Sequence, residues 1–454
     1  MKGVPGAPCF STMGKIFIVS LGCDKNRVDA EYMIGMLLAA GHALVEDPAE
    51  AEVILVNSCC FIGDAKEESI QTILELAAYK ETGACRALIL TGCLGQRYQE
   101  EVRKELPEVD ALVGTNSYDE ICRVVEEALS GAHPEVLKAL TGLPAVNAPR
   151  VNTTGGYYAY LKIAEGCDKH CAYCVIPSIR GAYRSVPMER ILEEANALVA
   201  DGAGELILVA QETTLYGIDL YGERALPRLL DALNEIPELR WIRLMYCYPE
   251  KITEELVSAI KRNHKVCHYL DMPIQHVSDA VLKRMGRRTT AKDLRERIAM
   301  IRREIPDICL RTTLISGFPG ETEEDHQALL DFVRGMGFDR LGAFCYSEEE
   351  GTEAANMPDQ IPEEEKVRRR DELMALSEEK IFEKNETLIG KTFEVMIEGK
   401  LPEEGVYVAR TYRDAPEIDG YLFFPYEGEL LSGAFVPVTV KETNEYDLIG
   451  EMML

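Results

Sequence analysis

The chain has 454 residues, more than a single hydrophobic core usually serves, so its length predicts two to four domains. Hydrophobic residues make up 46% and charged residues 28%, a composition that excludes a wholly disordered chain. The formal net charge of −28 is far from the basic surface that duplex DNA or tRNA usually selects. We therefore expect a basic partner or no macromolecular partner.

Neither membrane insertion nor export is expected. No uncharged apolar run approaches the ~20 residues that a membrane helix needs, and the first residues lack the apolar segment of a secretory signal. We predict a disordered leader over residues 1–14, within which Met13 is a second start for translation, and a soluble, cytoplasmic protein. The fourteen cysteines then point to metal or cluster ligation, because the cytosol keeps thiols reduced.

Strands and helices alternate from residue 15 onward. Short apolar strands are predicted at 15–23, 52–59 and 86–93. Helices are predicted after each of them, at 28–40, 65–80 and 96–106. Fully apolar strands that alternate with helices are typical of a parallel sheet covered by helices. We assign residues 15–130 to an N-terminal α/β domain and the stretch 131–156, rich in proline and glycine, to a linker.

The same alternation resumes after the linker. Six further strands are predicted at 158–164, 205–211, 241–245, 268–272, 310–316 and 340–346. Six βα units predict a partial (β/α)6 barrel over 157–361, whose working edge is the C-terminal end of the strands. A charged connecting helix is expected over 362–390. Short β runs broken by glycine and proline over 391–454 predict a small antiparallel β-barrel, so the fold class is α/β with this added barrel.

Three cysteines with the spacing Cys-x3-Cys-x2-Cys directly follow the first barrel strand. They are Cys167, Cys171 and Cys174, termed here the motif cysteines. Three thiolates can hold three corners of a four-iron four-sulfur cluster and leave the fourth iron open for a ligand. Structural zinc is the alternative, but it usually takes four ligands in two pairs, and only His170 is nearby. The spacing favours a cluster at which chemistry takes place.

Three other cysteines each follow an apolar strand of the N-terminal domain. They are Cys23, Cys59 and Cys93, termed here the strand-end cysteines. The C-terminal ends of parallel strands share one edge of a sheet, so these side chains are expected to converge. The alternative is three buried cysteines that act as small apolar residues. Cys60 is a rival for the role of Cys59, which we favour because the segment 56–59 aligns with the strand-end motif.

The motif cysteines, on the first strand-to-helix loop of a β/α barrel, resemble those of the radical S-adenosylmethionine superfamily. The segments 159–167 and 176–181 are similar to its methylthiotransferase branch, and the resemblance covers nearly the whole chain from Lys15. It implies that the motif cysteines hold a four-iron four-sulfur cluster whose open iron binds S-adenosylmethionine. It also implies a second such cluster on the strand-end cysteines, and the tail resembles a TRAM domain.

A pocket for S-adenosylmethionine needs polar groups at the strand ends. Arg311 could hold the carboxylate of this cofactor bidentately, or could lie in a solvent-exposed turn. Gly317 and Gly320 would let the backbone approach the adenine or ribose, although a plain turn is the alternative. The other candidates at the strand ends are Gln211, Glu212, Thr213, Gln275 and His276.

The substrate expectation comes from four segments that resemble the ribosomal-protein branch of these enzymes, at 21–31, 271–279, 346–352 and 446–451. The tRNA branch usually has Gln-Met-Asn after the first cysteine, where this chain has Asp-Lys-Asn. Residues 391–454 hold five basic and thirteen acidic residues, a net charge of −8 that would attract a basic protein and repel phosphates. Within this tail, Glu427 and Glu429 are candidate docking residues, and tRNA is a disfavoured partner.

The resemblance implies that the enzyme replaces a C–H on the β-carbon of an aspartate in ribosomal small-subunit protein twelve with a methylthio group. A deoxyadenosyl radical made from S-adenosylmethionine would remove the hydrogen. A second S-adenosylmethionine would methylate the sulfur held at the second cluster, which donates it to the substrate radical. An electron donor and a sulfur donor of unknown identity are required. Two alternatives remain, a tRNA-adenosine methylthiotransferase, which shares every cysteine, and a non-catalytic iron–sulfur protein.

Overall fold

The computed structural model describes residues 13–146 and 148–453, so residues 1–12 of the predicted leader lie outside the described residues. The chain divides into two compact units. The first unit comprises the chain up to Thr153 together with Glu165–Asp168 and Cys174–Arg184. The second unit comprises Thr154–Ala164, Lys169–Tyr173 and Ser185–Leu454.

The first unit contains a six-stranded parallel sheet. Its strands are β1 (Lys15–Ser20), β2 (Ala43–Leu44), β3 (Val53–Ser58), β4 (Ala87–Gly92), β5 (Ala111–Val113) and β6 (Glu135–Val136), in the spatial order β2-β1-β3-β4-β5-β6. Strands β3 and β4 are buried along their whole length, as expected of central strands in a parallel sheet. The sequence predicts β1, β3 and β4, whereas β2, β5 and β6 are too short to give a periodic signal.

The helices of the first unit cover this sheet. They are α1 (Asp24–Ala39), α2 (Gly63–Ala77), α3 (Tyr79–Thr82), α4 (Cys93–Arg97), α5 (Gln99–Glu105), α6 (Ile121–Leu129) and α7 (Ile176–Arg180). Helix α7 follows the motif cysteines in the chain, yet Val175 and Ile179 pack in the same apolar core as Ile54 and Leu90. This packing explains why Cys174–Arg184 belongs to the first unit.

The second unit contains another six-stranded parallel sheet. Its strands are β7 (Tyr158–Lys162), β10 (Glu205–Val209), β11 (Trp241–Leu244), β12 (Val266–Asp271), β13 (Cys309–Ser316) and β14 (Arg340–Cys345). They lie side by side in chain order with β7 and β14 at the two edges. The two-residue strands β8 (Ala164–Glu165) and β9 (Arg184–Ser185) fall between β7 and β10 in the sequence. All six strands predicted for the central domain are therefore present.

Eight helices accompany this sheet. They are α8 (Met188–Ala200), α9 (Ile218–Tyr221), α10 (Leu226–Asn234), α11 (Glu254–Arg262), α12 (Asp279–Arg284), α13 (Ala291–Glu304), α14 (Glu323–Met336) and α15 (Glu363–Glu386). Both α13 and α14 begin with a capping box, in which a threonine and an aspartate satisfy the first backbone N–H groups. Helix α15 is the charged connecting helix that the sequence predicts. No helix in the described part of the chain combines the length and apolar character needed to cross a membrane.

A closed five-stranded barrel forms the C-terminal part of the second unit. Its strands are β15 (Thr392–Leu401), β16 (Val406–Thr411), β17 (Leu422–Pro425), β18 (Phe435–Asn444) and β19 (Asp447–Met452), in the closed order β15-β16-β17-β19-β18. Four neighbouring pairs are antiparallel, and β17 and β19 are parallel. This pair departs from the all-antiparallel prediction, because strand direction cannot alternate around a closed ring of five strands.

Buried ion pairs join the barrel to the parallel sheet within the second unit. Glu205, at the start of β10, accepts hydrogen bonds from Arg243 Nε at 2.6 Å and from Arg410 Nη2 of β16 at 2.7 Å. All three side chains are fully buried. A similar pair forms where Arg413 donates to Asp339 at 2.7 Å. Such pairs tie the C-terminal barrel to the N-terminal ends of the strands, the edge opposite the one where catalytic residues of β/α barrels usually lie.

Candidate functional site

The strand-end cysteines follow strands that are paired in register. Ser20 of β1 lies opposite Asn57 of β3, which in turn lies opposite Thr91 of β4. Asn57 Nδ2 donates to Ser20 Oγ at 3.2 Å, and Thr91 Oγ1 donates to Asn57 Oδ1 at 3.2 Å. The three strands therefore end side by side at one edge of the first sheet, as the sequence predicts for the cysteines that follow them.

Asn26, on the first turn of α1, links the three strand ends. Its fully buried amide donates to Leu21 O at 3.0 Å and to Ser58 O at 2.9 Å. Its carbonyl oxygen lies 3.7 Å from Cys93 Sγ. One side chain thus contacts the segment after β1, the end of β3 and the cysteine that follows β4. The sequence analysis did not identify Asn26, although it lies three residues after the first strand-end cysteine.

Cys59 packs directly against the segment that precedes Cys23. Gly22 has a φ of +83°, and a Cβ added there would lie 2.6 Å from Cys59 Sγ. The site therefore requires glycine at this position. Cys60 and Cys93 both belong to the apolar core of this unit, with 0% and 7% exposure, whereas Cys59 is 6% exposed and lies beside Gly22. This difference favours Cys59 over Cys60 as the residue that faces the strand-end site.

A buried arginine, Arg180 at the end of α7, also reaches the strand-end site. Its Nη2 donates to Asn26 Oδ1 and lies 3.6 Å from Cys93 Sγ. Burial raises the pKa of the thiols of Cys59 and Cys93, and the positive charge of Arg180 acts in the opposite direction on both. Without a bound metal these thiols are neutral at pH 7, and ligation would remove their protons.

The arrangement does not suit a single metal ion. Among the described residues, no group of three or more His, Cys, Asp or Glu side chains is placed to hold one ion. A single ion needs all its ligands within about 2.3 Å of one point, whereas thiolates around a four-iron cluster bind different iron atoms. The strand-end cysteines fit the second kind of centre by donor type and by their shared sheet edge.

The motif cysteines are divided between the two units. Cys167 and Cys174 belong to the first unit, where Cys167 N donates to Gly181 O at 3.0 Å. Cys171 belongs to the second unit, where its Sγ lies 3.5 Å from the hydroxyl of Tyr248. Cys167 and Cys171 are buried, and Cys174 is partly buried.

In the second unit, cations and an aromatic ring surround Cys171. The ring of Tyr248 lies between two cations, with Lys169 Nζ at 3.7 Å and the Arg287 guanidinium carbon at 4.2 Å from its centroid. Arg287 is 5% exposed and donates through Nη2 to Pro273 O at 3.0 Å. Its buried Nη1 has no hydrogen-bond partner among the described residues. A buried guanidinium with an unused donor beside Cys171 suits a ligand carboxylate.

The predicted residues after β10 lie near this cluster. Glu212 Oε2 lies 3.1 Å from Lys169 Nζ, and burial raises the pKa of the Glu212 carboxyl although Lys169 opposes the shift. Thr213 Oγ1 donates to Met245 O at 2.8 Å, which links the loops after β10 and β11. Gln211 directly precedes them, two residues after the end of β10.

Glu321 contacts predicted residues that follow β12 and β13. Glu321 Oε2 accepts hydrogen bonds from the backbone N–H groups of Gly317 at 2.6 Å and Phe318 at 3.1 Å. His276, fully buried, has its Nε2 4.0 Å from Glu321 Oε1. Gln275 has a φ of +68° and a single β-bridge to Leu314, an uncommon backbone conformation that often marks functional loops.

The two predicted glycines are both required by packing. Gly317 has a φ of +71°, and a Cβ there would lie 2.2 Å from the Lys366 side chain. Gly320 has a φ of +77°, and a Cβ there would lie 2.5 Å from the Arg284 guanidinium. Protein packing alone therefore accounts for glycine at both positions, and their contact with a cofactor stays a prediction.

Arg311 lies inside β13 and is engaged by two carboxylates. Its Nη1 donates to Asp271 at 2.9 Å, and its Nε lies 3.5 Å from Asp419 in the connection between β16 and β17. The guanidinium is thus held by β12 and by the C-terminal barrel. Arg287, for which sequence spacing gave no signal, pairs with one carboxylate, Glu250, at 3.4 Å from its Nε, and its buried Nη1 has no hydrogen-bond partner among the described residues.

The two candidate docking residues of the tail lie on its surface. Glu427 and Glu429 are exposed and follow β17. Arg410, Arg413 and Asp414 of the same tail are buried. The exposed part of the tail is therefore strongly acidic, because two of its five basic residues are in the interior.

Comparison with known proteins gives three family matches along the chain. Residues 15–114 match an uncharacterized protein family, UPF0004, residues 161–333 match the radical SAM superfamily, and residues 389–453 match the TRAM domain. The ribosomal protein uS12 methylthiotransferase RimO of Lachnoclostridium phytofermentans is 58% identical over 436 residues, which is 96% of this chain and 99% of that protein. The chain belongs to the RimO family.

Other RimO relatives show the same full-length agreement. RimO of Clostridioides difficile is 50% identical, over 97% of this chain and 99% of that protein. Among solved structures, the radical S-adenosylmethionine methyltransferase TsrM of Kitasatospora setae matches with a TM-score of 0.53 and 14% identity, over 72% of each chain. At this identity the TsrM match concerns the fold alone, and it agrees with the β/α architecture predicted from the sequence.

Proposed function

We propose that this RimO-family chain catalyses the methylthiolation of the β-carbon of an aspartate in ribosomal protein uS12. The observation that carries the proposal is the 58% identity to a uS12 methylthiotransferase over nearly the full length of both chains. A tRNA-adenosine methylthiotransferase and a non-catalytic iron–sulfur protein have no comparable support. With a ribosomal substrate, we propose that the enzyme acts in the cytoplasm.

The motif cysteines are proposed to hold a four-iron four-sulfur cluster that binds S-adenosylmethionine. Their spacing leaves one iron without a protein ligand. When bound, the cluster supplies an electron and S-adenosylmethionine supplies a carbon radical able to remove hydrogen from an unactivated C–H bond. The chain's own part is to bind and orient the cofactor. The unused donor of Arg287 supports this proposal, because it offers a carboxylate partner beside Cys171.

Several residues at the strand ends are proposed to complete the S-adenosylmethionine pocket. Arg287 is assigned to the carboxylate in preference to Arg311, because Arg311 has two carboxylate partners whereas Arg287 has one, Glu250, and keeps a buried Nη1 without a partner among the described residues. Glu212, buried and paired with Lys169, is suited to a cationic amino group. The other proposed members of the pocket are Gln211, Thr213, Gln275, His276, Gly317 and Gly320.

The strand-end cysteines are proposed to hold a second four-iron four-sulfur cluster, at which sulfur is delivered. Their support is the shared sheet edge, the Asn26 links and the proximity of Arg180. A separate electron donor and sulfur donor complete the reaction.

By domain, we propose a methylthiotransferase N-terminal domain at 15–130, a linker at 131–156, a radical domain at 157–361, a connecting helix at 362–390 and a docking domain at 391–454.

The tail is proposed to bind uS12 through its acidic surface. The exposed Glu427 and Glu429 would attract a basic ribosomal protein, chiefly by increasing the rate of encounter. The same surface would repel the phosphates of tRNA.

The proposal is tested by mass spectrometry of ribosomal proteins and of tRNA nucleosides from cells with and without the chain. We expect uS12 from cells lacking the chain to lose one methylthio group, and tRNA nucleosides to be unchanged. Restoring the gene should restore the modification, and a variant with the motif cysteines replaced by alanine serves as the inactive control. Loss of a methylthiolated nucleoside with normal uS12 would instead identify a tRNA enzyme.

A further inference from the structure

Arg180 lies six residues after the last motif cysteine, yet its guanidinium contacts the strand-end site. We propose that Arg180 is a positioning residue that sets the reduction potential of the cluster held by the strand-end cysteines. This inference rests on the proposed function of those cysteines. Arg180 lies outside both sets of cysteines and would be a further residue that controls the second cluster.

The guanidinium of Arg180 is divided between two kinds of partner. Nη1 donates to the carboxylates of Asp29 at 2.7 Å and Glu165 at 3.3 Å. Nη2 instead faces Asn26 Oδ1 and Cys93 Sγ, the latter at 3.6 Å. The side chain is 2% exposed, so it cannot change its orientation freely. The two carboxylates therefore fix the guanidinium with one nitrogen directed at the cysteine.

A purely structural role accounts for the bonds of Nη1 and for the hydrogen bond from Nη2 to Asn26 Oδ1, but not for the approach of Nη2 to Cys93. Two buried carboxylates already exceed the charge of one guanidinium, so Asp29 and Glu165 alone could keep Arg180 in the interior. The contact of Nη2 with the Cys93 thiol does not stabilise the charge of Arg180 further unless the sulfur is itself charged. A thiolate ligand of a cluster is charged, and a cationic N–H donor pairs with it through a charge-assisted hydrogen bond.

The effect on the cluster follows from its charge. Reduction adds one negative charge, and hydrogen bonds to sulfur and nearby positive charge stabilise the reduced form. Removing the guanidinium should therefore lower the reduction potential. The thiolate is charged in both redox states, so only the difference in hydrogen-bond strength between the two states shifts the potential. We expect about a tenfold change in the reduction equilibrium, or about 59 mV for one electron.

The test uses the full chain with the motif cysteines replaced by alanine, so that the strand-end site alone is loaded with iron and sulfide under anaerobic conditions. Two variants are compared in this background. Arg180→Lys keeps the charge but loses the forked donor, and Arg180→Met is combined with Asp29→Asn, so that the net charge of the buried group formed with Glu165 stays at −1. The control is Arg150→Met with Glu31→Gln, because this pair is equally buried in the same unit, with 2.6 Å between Nη2 and Oε2.

The readouts are iron content and the reduction potential followed by electron paramagnetic resonance. We expect a lower potential in the Met combination, a partial shift in Arg180→Lys and no shift in the Arg150 control. Equal potentials in all loaded proteins would overturn the role of Arg180. If the Met combination binds no iron, the Arg180→Lys potential decides alone. If the parent with all three strand-end cysteines binds no cluster, the proposed function of those cysteines fails, and the role of Arg180 with it.

Discussion

Glu205 is the residue whose replacement should most clearly reveal how the C-terminal barrel is attached. It is fully buried and pairs with both Arg243 of the parallel sheet and Arg410 of the barrel. Replacing it with glutamine would leave the buried Arg243 without a carboxylate partner, whereas Arg410 would keep Glu398. Removing one partner of a buried pair costs about 3–5 kcal/mol, because the remaining charge is uncompensated.

The matched control for Glu205→Gln is Asp231→Asn. Asp231 pairs with Arg262 through two hydrogen bonds, at 2.9 and 2.7 Å, but both side chains are nearly half exposed. An exposed pair contributes about 0–1 kcal/mol. The same chemical change should therefore lower the free energy of unfolding by several kcal/mol more at position 205 than at position 231.

Urea denaturation followed by tryptophan fluorescence measures this difference. Trp241 is the single tryptophan of the chain, and its ring lies 4.9 Å from that of Phe435 in the barrel. Its emission therefore reports the contact between the barrel and the sheet. An unfolding free energy of Glu205→Gln within about 1 kcal/mol of that of Asp231→Asn would refute the buried-pair argument, since exposed pairs contribute no more than this.

The pH dependence gives a second check on Glu205. Burial tends to raise the pKa of its carboxyl, but Arg243 and Arg410 outweigh this and hold the pKa below its usual value of 4.5. A lowered pKa in the folded state means that the ionised form stabilises the fold above the usual pKa. That stability is lost as the pH falls through the folded-state value. The parent should therefore lose more stability than Glu205→Gln on acidification below 4.5.

Four further outcomes are expected. Replacing the three motif cysteines by alanine should abolish reductive cleavage of S-adenosylmethionine and leave iron at the strand-end site, measured by product analysis and iron content. Replacing the three strand-end cysteines should leave cleavage of S-adenosylmethionine intact but stop methylthio transfer, and the iron content should fall by about one cluster per chain. An unchanged iron content would mean that these cysteines are apolar core residues. Arg287→Met should weaken S-adenosylmethionine binding at least tenfold in equilibrium dialysis, whereas Arg287→Lys should recover part of the loss. Glu427→Lys with Glu429→Lys should slow association with uS12 mainly at low salt, because a Debye length of ~10 Å at 0.1 M screens exposed charges; tighter tRNA binding with an unmodified uS12 aspartate would contradict the substrate proposal.

The sequence predicts the elements of this fold well where one local pattern is enough. Apolar strands such as β3 and β4 are recognisable because each is buried along its whole length. The convergence of the strand ends follows from parallel topology alone, and the in-register pairs of Ser20, Asn57 and Thr91 agree with it. Short edge strands such as β6 were missed, since two residues carry no periodicity.

Contacts between distant residues could not be predicted in this way. Arg410 and Glu205 are 205 positions apart, and no local pattern indicates that a buried carboxylate of the sheet selects an arginine of the barrel. Arg287 was missed for a similar reason, because its importance lies in an unused buried donor rather than in a motif. Arg311 was noticed by its position in a strand, but only the structure gives its two carboxylate partners.

The buried pairs also change how the tail should be studied. Sequence composition suggests a separable docking domain whose deletion leaves the radical chemistry intact. In the structure, deletion of 391–454 would remove Arg410 from the fully buried Glu205 and would leave the buried Arg340 without its carboxylate partner Asp414. We therefore expect deletion to destabilise the parallel sheet, and charge reversal at exposed positions is the cleaner way to test docking.

The path of the chain between its two units has a consequence for anyone who wishes to cut it. A protease nick or an engineered break in the stretch 131–156 would separate the polypeptide into two pieces. The C-terminal piece would still carry Cys174–Arg184, which completes the first unit. A break before Thr154 would therefore divide the first unit but leave the second unit whole, and the first unit should recover its native structure only when the two pieces are refolded together. Fragment complementation, rather than expression of isolated domains, is the appropriate way to dissect this protein.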